Sequence, residues 1–177
     1  TSHASLRNIS SIRNRFDGYC KAMNEAGLEL NPQYIQELDE VSVHTEMSKI
    51  NLNYLGYGPM KNLLSQPDRP SAVFLLFDSL AVGAYRALKE VGLTVPDDMS
   101  LMGFDNIDYS SCMDVPLTTM AQPVKEIGSS AAAILVDRIN GSLTTERVLN
   151  LKTQMITRNS CGSYLPNREA VPVGVVE

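Results

Sequence analysis

Residues 72–104 constrain the possible folds of this chain more than any other segment. It begins with an uninterrupted apolar run, Ala72-Val73-Phe74-Leu75-Leu76-Phe77, which is typical of a parallel strand covered on both faces. Asp78 ends the run, and the residues after it have helical spacing. A turn at 95–98 leads to a second strand at 100–104. Strand, helix and strand in this order predict a right-handed βαβ unit and an α/β fold.

Other segments carry weaker patterns. Apolar residues from Phe16 to Met23 recur at helical spacing, which predicts a helix that begins at Arg15 and stops at Gly27. Four further elements are predicted: a strand within 34–43, a short helix over 56–64, an amphipathic helix over 124–140 and a strand over 148–156. The residues 106–117 are predicted to form a polar loop, and 163–177 a tail without periodicity.

Composition excludes several classes of protein. The 177-residue chain has 15 basic and 20 acidic side chains and no basic run, so it lacks the positive surface of a nucleic-acid binder. Its three cysteines are scattered, which argues against a disulfide framework and favours a reducing compartment. No apolar stretch approaches the length of a membrane span. The polar start, which has neither Met nor a signal region, predicts that the chain is a fragment.

Two carboxylates are the first candidates for a binding site. Asp78 and Asp105 each follow a predicted strand, and ligands of open parallel sheets bind beyond the carboxyl ends of the strands. A carboxylate can accept hydrogen bonds from neighbouring hydroxyls of a sugar. For Asp78 the favoured role is a helix cap, since a helix follows at once; binding is the alternative. For Asp105, which no helix follows, binding is favoured.

Arg15 and Ser11 are the candidates at the start of the first helix. The positive end of the helix dipole disfavours an arginine there, so a guanidinium aimed into a cleft would explain the placement, although a solvated Arg is the commoner case. Ser11 could cap the helix or bind a hydroxyl. The two histidines have no partners at metal-ligand spacing, and the dinucleotide, nucleotide, nucleophile-elbow and zinc-protease motifs are absent. The residues therefore predict a small-molecule binder with no catalytic role, no cofactor and no metal.

Several stretches resemble the LacI/GalR family of bacterial transcription repressors, and they occur in the family's order. The family pattern S-x-x-x-R-x-x-G-[FYW] matches residues 11–19, and G-Y-x-x-M matches 56–60. The segment 72–84 is similar to A-[VI]-F-x-x-x-D-x-x-A-x-G-A. The most specific matches are V-P-D-D-M-S-L-M-G-F-D at 95–105 and P-L-T-T-M-A-Q-P at 116–123. Together they cover residues from about 11 to 160.

The resemblance implies roles for individual residues. Arg15 matches the arginine that binds effector hydroxyls, and Asp105 matches the carboxylate opposite it. Ser11 and Gln122 match cleft positions that contribute less regularly. Phe77 stands where some sugar-responsive members have a polar residue, which suggests an apolar wall or a stacking contact.

The resemblance also implies an architecture of two Rossmann-like lobes hinged around the effector, as in periplasmic binding proteins. Residues 1–107 would be the second lobe, 108–145 a crossover segment belonging to the first lobe, 146–162 a return strand, and 163–177 a tail. The DNA-binding head and most of the first lobe would lie outside this chain.

The leading hypothesis is the effector-sensing and dimerisation region of a cytoplasmic LacI-type repressor. Its partners would be a sugar or sugar derivative, a second copy through the helices at 56–64 and 81–91, and operator DNA through the absent head. The alternative is a periplasmic-type sugar-binding protein of a transport system. A doubly wound enzyme is disfavoured because no catalytic constellation is present.

Overall fold

The computed structural model describes residues 9–38, 55–142, 144–162 and 173–176. Within these ranges the strands are β1 Ile35–Gln36, β2 Ala72–Leu75, β3 Ser100–Asp105, β4 Thr118–Ala121, β5 Gln154–Ile156 and β6 Val173–Val176. The α-helices of the same ranges are α1 Ser10–Glu25, α2 Tyr57–Leu64, α3 Ala81–Glu90 and α4 Val124–Ile139. Short 3-10 helices lie at Pro32–Tyr34, Asp78–Leu80 and Asp108–Ser111.

The strands form one sheet in the order β1-β6-β2-β3-β4-β5. All neighbouring pairs are parallel except β4 and β5, which are antiparallel. The predicted βαβ unit is therefore confirmed: β2 continues through a 3-10 turn and α3 into β3, and the two strands pair directly. Because β2, β3 and β4 are neighbours and run in the same direction, their carboxyl ends meet at one edge of the sheet.

The core forms where β2, β3 and β6 meet the helices α2 and α3. Val73, Leu75, Leu101 and Val175 are buried strand residues, and they belong to one apolar cluster with the buried side chains of α2 and α3. These two helices approach very closely, since a Cβ on Gly83 would lie 2.5 Å from the backbone nitrogen of Tyr57. The close approach fixes the layer that supports the sheet edge.

That arrangement affects the predicted dimer contact, because the apolar residues of α2 and α3 face the core. The apolar side chains of α2 and α3 were expected to contact a second copy, but Met60, Leu63, Ala84 and Leu88 are all buried within the chain. They are core residues because both helices lie on the sheet. A dimer contact through these helices would have to use their remaining, partly exposed residues.

The helix α1 starts at Ser10, five residues before the predicted start at Arg15. Its first turn carries few apolar residues, so periodicity did not reveal it. Its end agrees with the prediction: Gly27 has a φ of 69°, and the Leu28 amide bonds to the Met23 carbonyl. This is the arrangement in which glycine closes a helix by a left-handed residue.

The expected division of the chain needs two corrections. Residues 108–145 were assigned to another lobe, yet 118–121 form β4 and pair with β3 in the same sheet. The segment 163–177 was expected to be a tail without periodicity, but residues 173–176 within it form β6 between β1 and β2. Both strands have four residues, too few for a period to appear in the sequence. Within the predicted strand 148–156, only residues 154–156 form a strand, β5.

Candidate functional site

The carboxyl edge of the sheet brings four of the sequence-predicted residues together. Phe77 follows β2, Asp105 ends β3, and Gln122 follows β4 directly. From α1, the Arg15 guanidinium reaches the same edge, with its Nη2 3.0 Å from Asp105 Oδ1. Arg15 and Asp105, which the resemblance pairs across an effector, thus meet at one rim of the sheet.

The Arg15 side chain is enclosed rather than solvated, with 13% of its surface exposed. Its Nη1 donates to the Leu76 carbonyl at 2.5 Å, while its guanidinium carbon lies 4.0 Å from the ring centre of Phe104 and 5.2 Å from that of Phe77. Contacts of a cation with aromatic faces are favourable within about 6 Å. Because α1 begins at Ser10, Arg15 lies beyond the first turn, and the helix dipole that was expected to disfavour it has little effect there.

The Asp105 carboxylate is bonded through one oxygen. Its Oδ1 accepts from Arg15 and, at 2.6 Å, from the Gln122 amide nitrogen. Within the described residues, no hydrogen-bond donor contacts Oδ2, so this oxygen is available to a ligand. Burial raises the pKa of Asp105 above 3.8, while Arg15 and Gln122 act in the opposite direction.

The backbone at Asp105 adopts an unusual conformation. Asp105 has a φ of 119° and Asn106 a φ of 57°, both in the left-handed half of conformational space. Non-glycine residues in rare backbone regions cost of the order of 1–3 kcal/mol each, and such residues cluster at ligand sites. The strain at the end of β3 therefore supports a binding role for this edge.

Asp78 takes a position that the sequence did not predict. Its side chain is completely buried, and its two oxygens accept from the Thr119 hydroxyl at 2.6 Å and the Ile107 amide at 3.1 Å. It makes no cap hydrogen bond to the helix that follows. Asp78 therefore holds Thr119 and the turn at Ile107 and does not cap the helix, while its role as a cleft ligand stays a prediction. Gly103 makes room for it, since a Cβ there would lie 2.1 Å from Asp78 Oδ1.

A cavity of about 960 Å³ lies between α1 and one face of the sheet. Ser11, Arg15 and Gln122 contribute to its lining, and Ser11 is exposed there. Most of the other lining side chains are apolar: Tyr19, Ala22, Met23, Ala72, Val73, Phe74, Met102, Phe104 and Met120. The cavity therefore offers hydrogen-bond donors beside an apolar wall.

Sequence reasoning missed Phe104, Thr119 and Arg158. Phe104 could have been found, because it directly precedes Asp105 on a predicted strand. Thr119 and Arg158 carried no local pattern, and their contacts span 41 and 52 residues respectively. Among the described residues no cluster of His, Cys, Asp and Glu could hold a metal ion. In the same ranges no helix is long and apolar enough to cross a membrane.

A mainly parallel sheet with helices and a strained polar site at its carboxyl edge defines an α/β ligand-binding lobe. The family model for the periplasmic binding protein-like domain matches residues 3–161. The chain belongs to this family, and the resemblance to LacI/GalR regulators is confirmed by its relatives.

Two curated repressors illustrate the relationship. The HTH-type transcriptional repressor PurR of Pasteurella multocida is 36% identical over 156 residues, which are 88% of this chain and 43% of the repressor. The ribose operon repressor of Haemophilus influenzae is 36% identical over 151 residues, 85% of this chain and 42% of the repressor. The chain thus spans less than half the length of these relatives.

Solved structures agree. A LacI-family regulatory protein from Chloroflexus aggregans superposes with a TM-score of 0.72 at 28% identity, covering 85% of this chain and 50% of that protein. The complex of the regulator CelR with cellobiose gives 0.71 at 31% identity, covering 82% and 41%. A LacI-family regulator from Enterococcus faecium with bound ribose gives 0.57 at 37% identity, covering 62% and 40%.

Proposed function

We propose that this chain is the part of a LacI-type repressor that carries one wall of the effector cleft, and that the effector is a sugar. The observation that carries the proposal is the Arg15–Asp105 pair at 3.0 Å, which lies at the carboxyl edge of the sheet. Within the described residues, no hydrogen-bond donor contacts Oδ2 of Asp105. We infer no catalytic role, since the relatives are repressors.

The chemistry of the edge suits a polyhydroxylated molecule. The free Oδ2 of Asp105 can accept a ligand hydroxyl, and the Arg15 and Gln122 nitrogens can donate to its oxygens. The rings of Phe77 and Phe104 flank Arg15, and a ring face can stack on the apolar face of a sugar. The relatives crystallised with ribose and cellobiose support this class of ligand.

We further propose that the site is completed by the first lobe, which packs on the exposed face of α4. No residue of α4 is buried, and Val124, Leu135 and Ile139 are between 59% and 75% exposed. Such a face needs an apolar partner. The occupant proposed is the first lobe, since the curated relatives are more than twice as long as the segment that matches this chain.

A repressor of this kind would act in the cytoplasm as a homodimer and reach operator DNA through a separate head. Sugar binding between two lobes would then change the spacing of the heads by favouring one of two states. A transport role is not favoured, because the curated relatives are repressors.

The test is calorimetry with D-ribose and with cellobiose, on this chain and on the full-length protein that its gene encodes. We expect binding by the full-length protein, weaker binding by the chain alone, and at least about tenfold loss for Asp105→Asn, as one charged hydrogen bond is removed. The matched control is Asp108→Asn, an exposed aspartate three residues away. Unchanged affinity for both sugars in Asp105→Asn would refute the site.

A further inference from the structure

Asp105 is followed directly by a turn, and one side chain from a distant segment bonds to this turn. Asn106, the second strained residue, accepts a 2.6 Å hydrogen bond at Oδ1 from Nη2 of Arg158. We propose that Arg158 is a positioning residue for Asp105 and acts through Asn106. The consequence for ligand affinity rests on the proposed function, whereas the positioning itself does not.

The Arg158 guanidinium spans two elements. While Nη2 donates to Asn106, Nη1 donates to the Leu117 carbonyl at 2.7 Å and to the Ser110 hydroxyl at 3.2 Å. In the part of the chain that the structure describes, Arg158 has no carboxylate partner at salt-bridge distance. Its nitrogens therefore donate only to neutral oxygens, which lie in the loop after β3 and directly before β4. The planar guanidinium links these two places.

The backbone at Arg158 and the nearby Ser160 are hydrogen-bonded to the sheet. The Arg158 amide donates to the Thr118 hydroxyl at 2.9 Å, and two residues further on the Ser160 hydroxyl donates to the Leu101 carbonyl at 2.5 Å. The amides of Thr118 and Leu101 donate in turn to Ser160. The backbone that carries Arg158 is thus anchored on β3 and β4. The guanidinium therefore holds the turn from a fixed position.

The remaining contacts of the turn act on its backbone. The Ile107 amide donates to buried Asp78, and the Asn106 amide lies 3.4 Å from the Thr119 hydroxyl, a long hydrogen bond. Within the described residues, Arg158 alone bonds to the Asn106 side chain. Losing it would remove this side-chain restraint from Asn106, and the turn would hold the Asp105 backbone less firmly, while Arg15 and Gln122 would still bond to Asp105 Oδ1.

The resulting arrangement joins the return segment to the ligand edge. Arg158 lies two residues beyond β5, which follows α4 in the chain. A displacement of this segment would be passed to Asn106 through one planar group, and from there to Asp105. Lysine cannot replace the guanidinium, because a single ammonium has no fixed pair of nitrogens to span the two elements.

The test is amide hydrogen exchange of this chain with Arg158→Gln and Arg158→Lys. We expect exchange at Asn106 and Ile107 to rise about tenfold in both variants, as expected for the loss of a hydrogen bond to a charged group. The Leu101 amide, which bonds to Ser160, should keep its protection. The matched control is Arg138→Gln on the exposed face of α4.

A double-mutant cycle isolates the route of the effect. In an Asn106→Gly background, Arg158→Gln should change the exchange of Ile107 no further, because the acceptor is gone. Unchanged exchange at Asn106 and Ile107 would overturn the proposal. An equal rise at Leu101, or an undiminished effect in the glycine background, would do so too, since either would show a general structural role.

Calorimetry with D-ribose on the full-length protein adds the functional readout. Arg158→Gln should weaken binding about tenfold in the native background and have little effect on top of Asp105→Asn. Additive losses would mean that Arg158 does not act through Asp105 and would overturn the proposal. Absence of ribose binding by the unaltered protein would contradict the proposed ligand, and the exchange experiment would then decide on positioning alone.

Discussion

Arg15 and Asp105 are 90 residues apart in the chain, and their side chains meet at 3.0 Å with the guanidinium between two phenylalanine rings. We expect Arg15→Lys to lose about 1.5–3 kcal/mol of unfolding free energy, since an ammonium cannot bond to both Asp105 and the Leu76 carbonyl. Chemical denaturation measures the change. Arg13→Lys, two residues earlier and exposed, is the control and should have no effect.

The pKa of Asp105 leads to a prediction about pH. Burial raises the pKa of Asp105 in the folded protein above 3.8, the value for the unfolded chain. Between the unfolded and the folded pKa, the folded protein therefore binds more protons than the unfolded chain. The contribution of Asp105 to stability therefore falls as pH rises through this window. Asp105→Asn removes this dependence, and its unfolding free energy relative to the native protein should increase from acid towards neutral pH.

Ligand binding should have the opposite pH dependence, because the free Asp105 oxygen must be ionised to accept a strong hydrogen bond. Affinity for ribose should fall as pH falls through the raised pKa, and the fall should begin above the ordinary range of an aspartate. Calorimetry across this range checks it. A binding constant independent of pH down to 3.8 would contradict both the raised pKa and the role of the carboxylate.

Removing the buried Asp78 carboxylate should destabilise the turn from below. Asp78→Ala leaves the buried Thr119 hydroxyl without its acceptor, which costs about 1–3 kcal/mol, and the partly buried Ile107 amide loses its acceptor at a smaller cost. Asp108→Ala, at an exposed position of the same loop, should cost little. Equal stability of the two variants in urea would show that the Asp78 hydrogen bonds contribute nothing.

These sites show how far the sequence could predict the structure. Asp105 was found because the end of a strand has a known meaning at the edge of a parallel sheet, whereas Arg15 was assigned through the family resemblance. Asp78 follows a strand in the same way, yet its carboxylate is buried and accepts hydrogen bonds from Thr119 and Ile107. Its direction depends on Gly103 and Thr119, which lie on strands distant in the chain.

The short strands mark the other limit. β4 and β6 have four residues each and owe their structure to the edges that they pair with, so no periodicity predicts them. The same holds for Arg158, whose role depends on Asn106 and Leu117 being near in space. Local sequence patterns predict the βαβ unit because its strands and helix follow one another in the chain. They do not predict contacts between residues that are distant in the sequence.

Two helical glycines should respond in opposite ways to alanine. A Cβ on Gly83 would lie 2.5 Å from the Tyr57 backbone nitrogen, so Gly83→Ala must push α2 and α3 apart. We expect a loss of about 1–3 kcal/mol from overpacking. Gly128 in α4 has nothing within 4 Å of its Cβ position, and Gly128→Ala should stabilise by about 0.5–1 kcal/mol through helix propensity. Thermal melting of both variants distinguishes the two environments.

The exposed face of α4 provides the test of the proposed contact with the first lobe. Leu135 is 59% exposed, so Leu135→Gln should change the stability of this chain by no more than about 0.5 kcal/mol. In the full-length protein the same substitution should cost about 1.5–3 kcal/mol, because the first lobe would cover the side chain there. Leu88→Gln is the control, since Leu88 is 1% exposed and should be destabilised in both proteins. If Leu135→Gln is as harmless in the full-length protein as in the chain, then α4 does not pack on the first lobe.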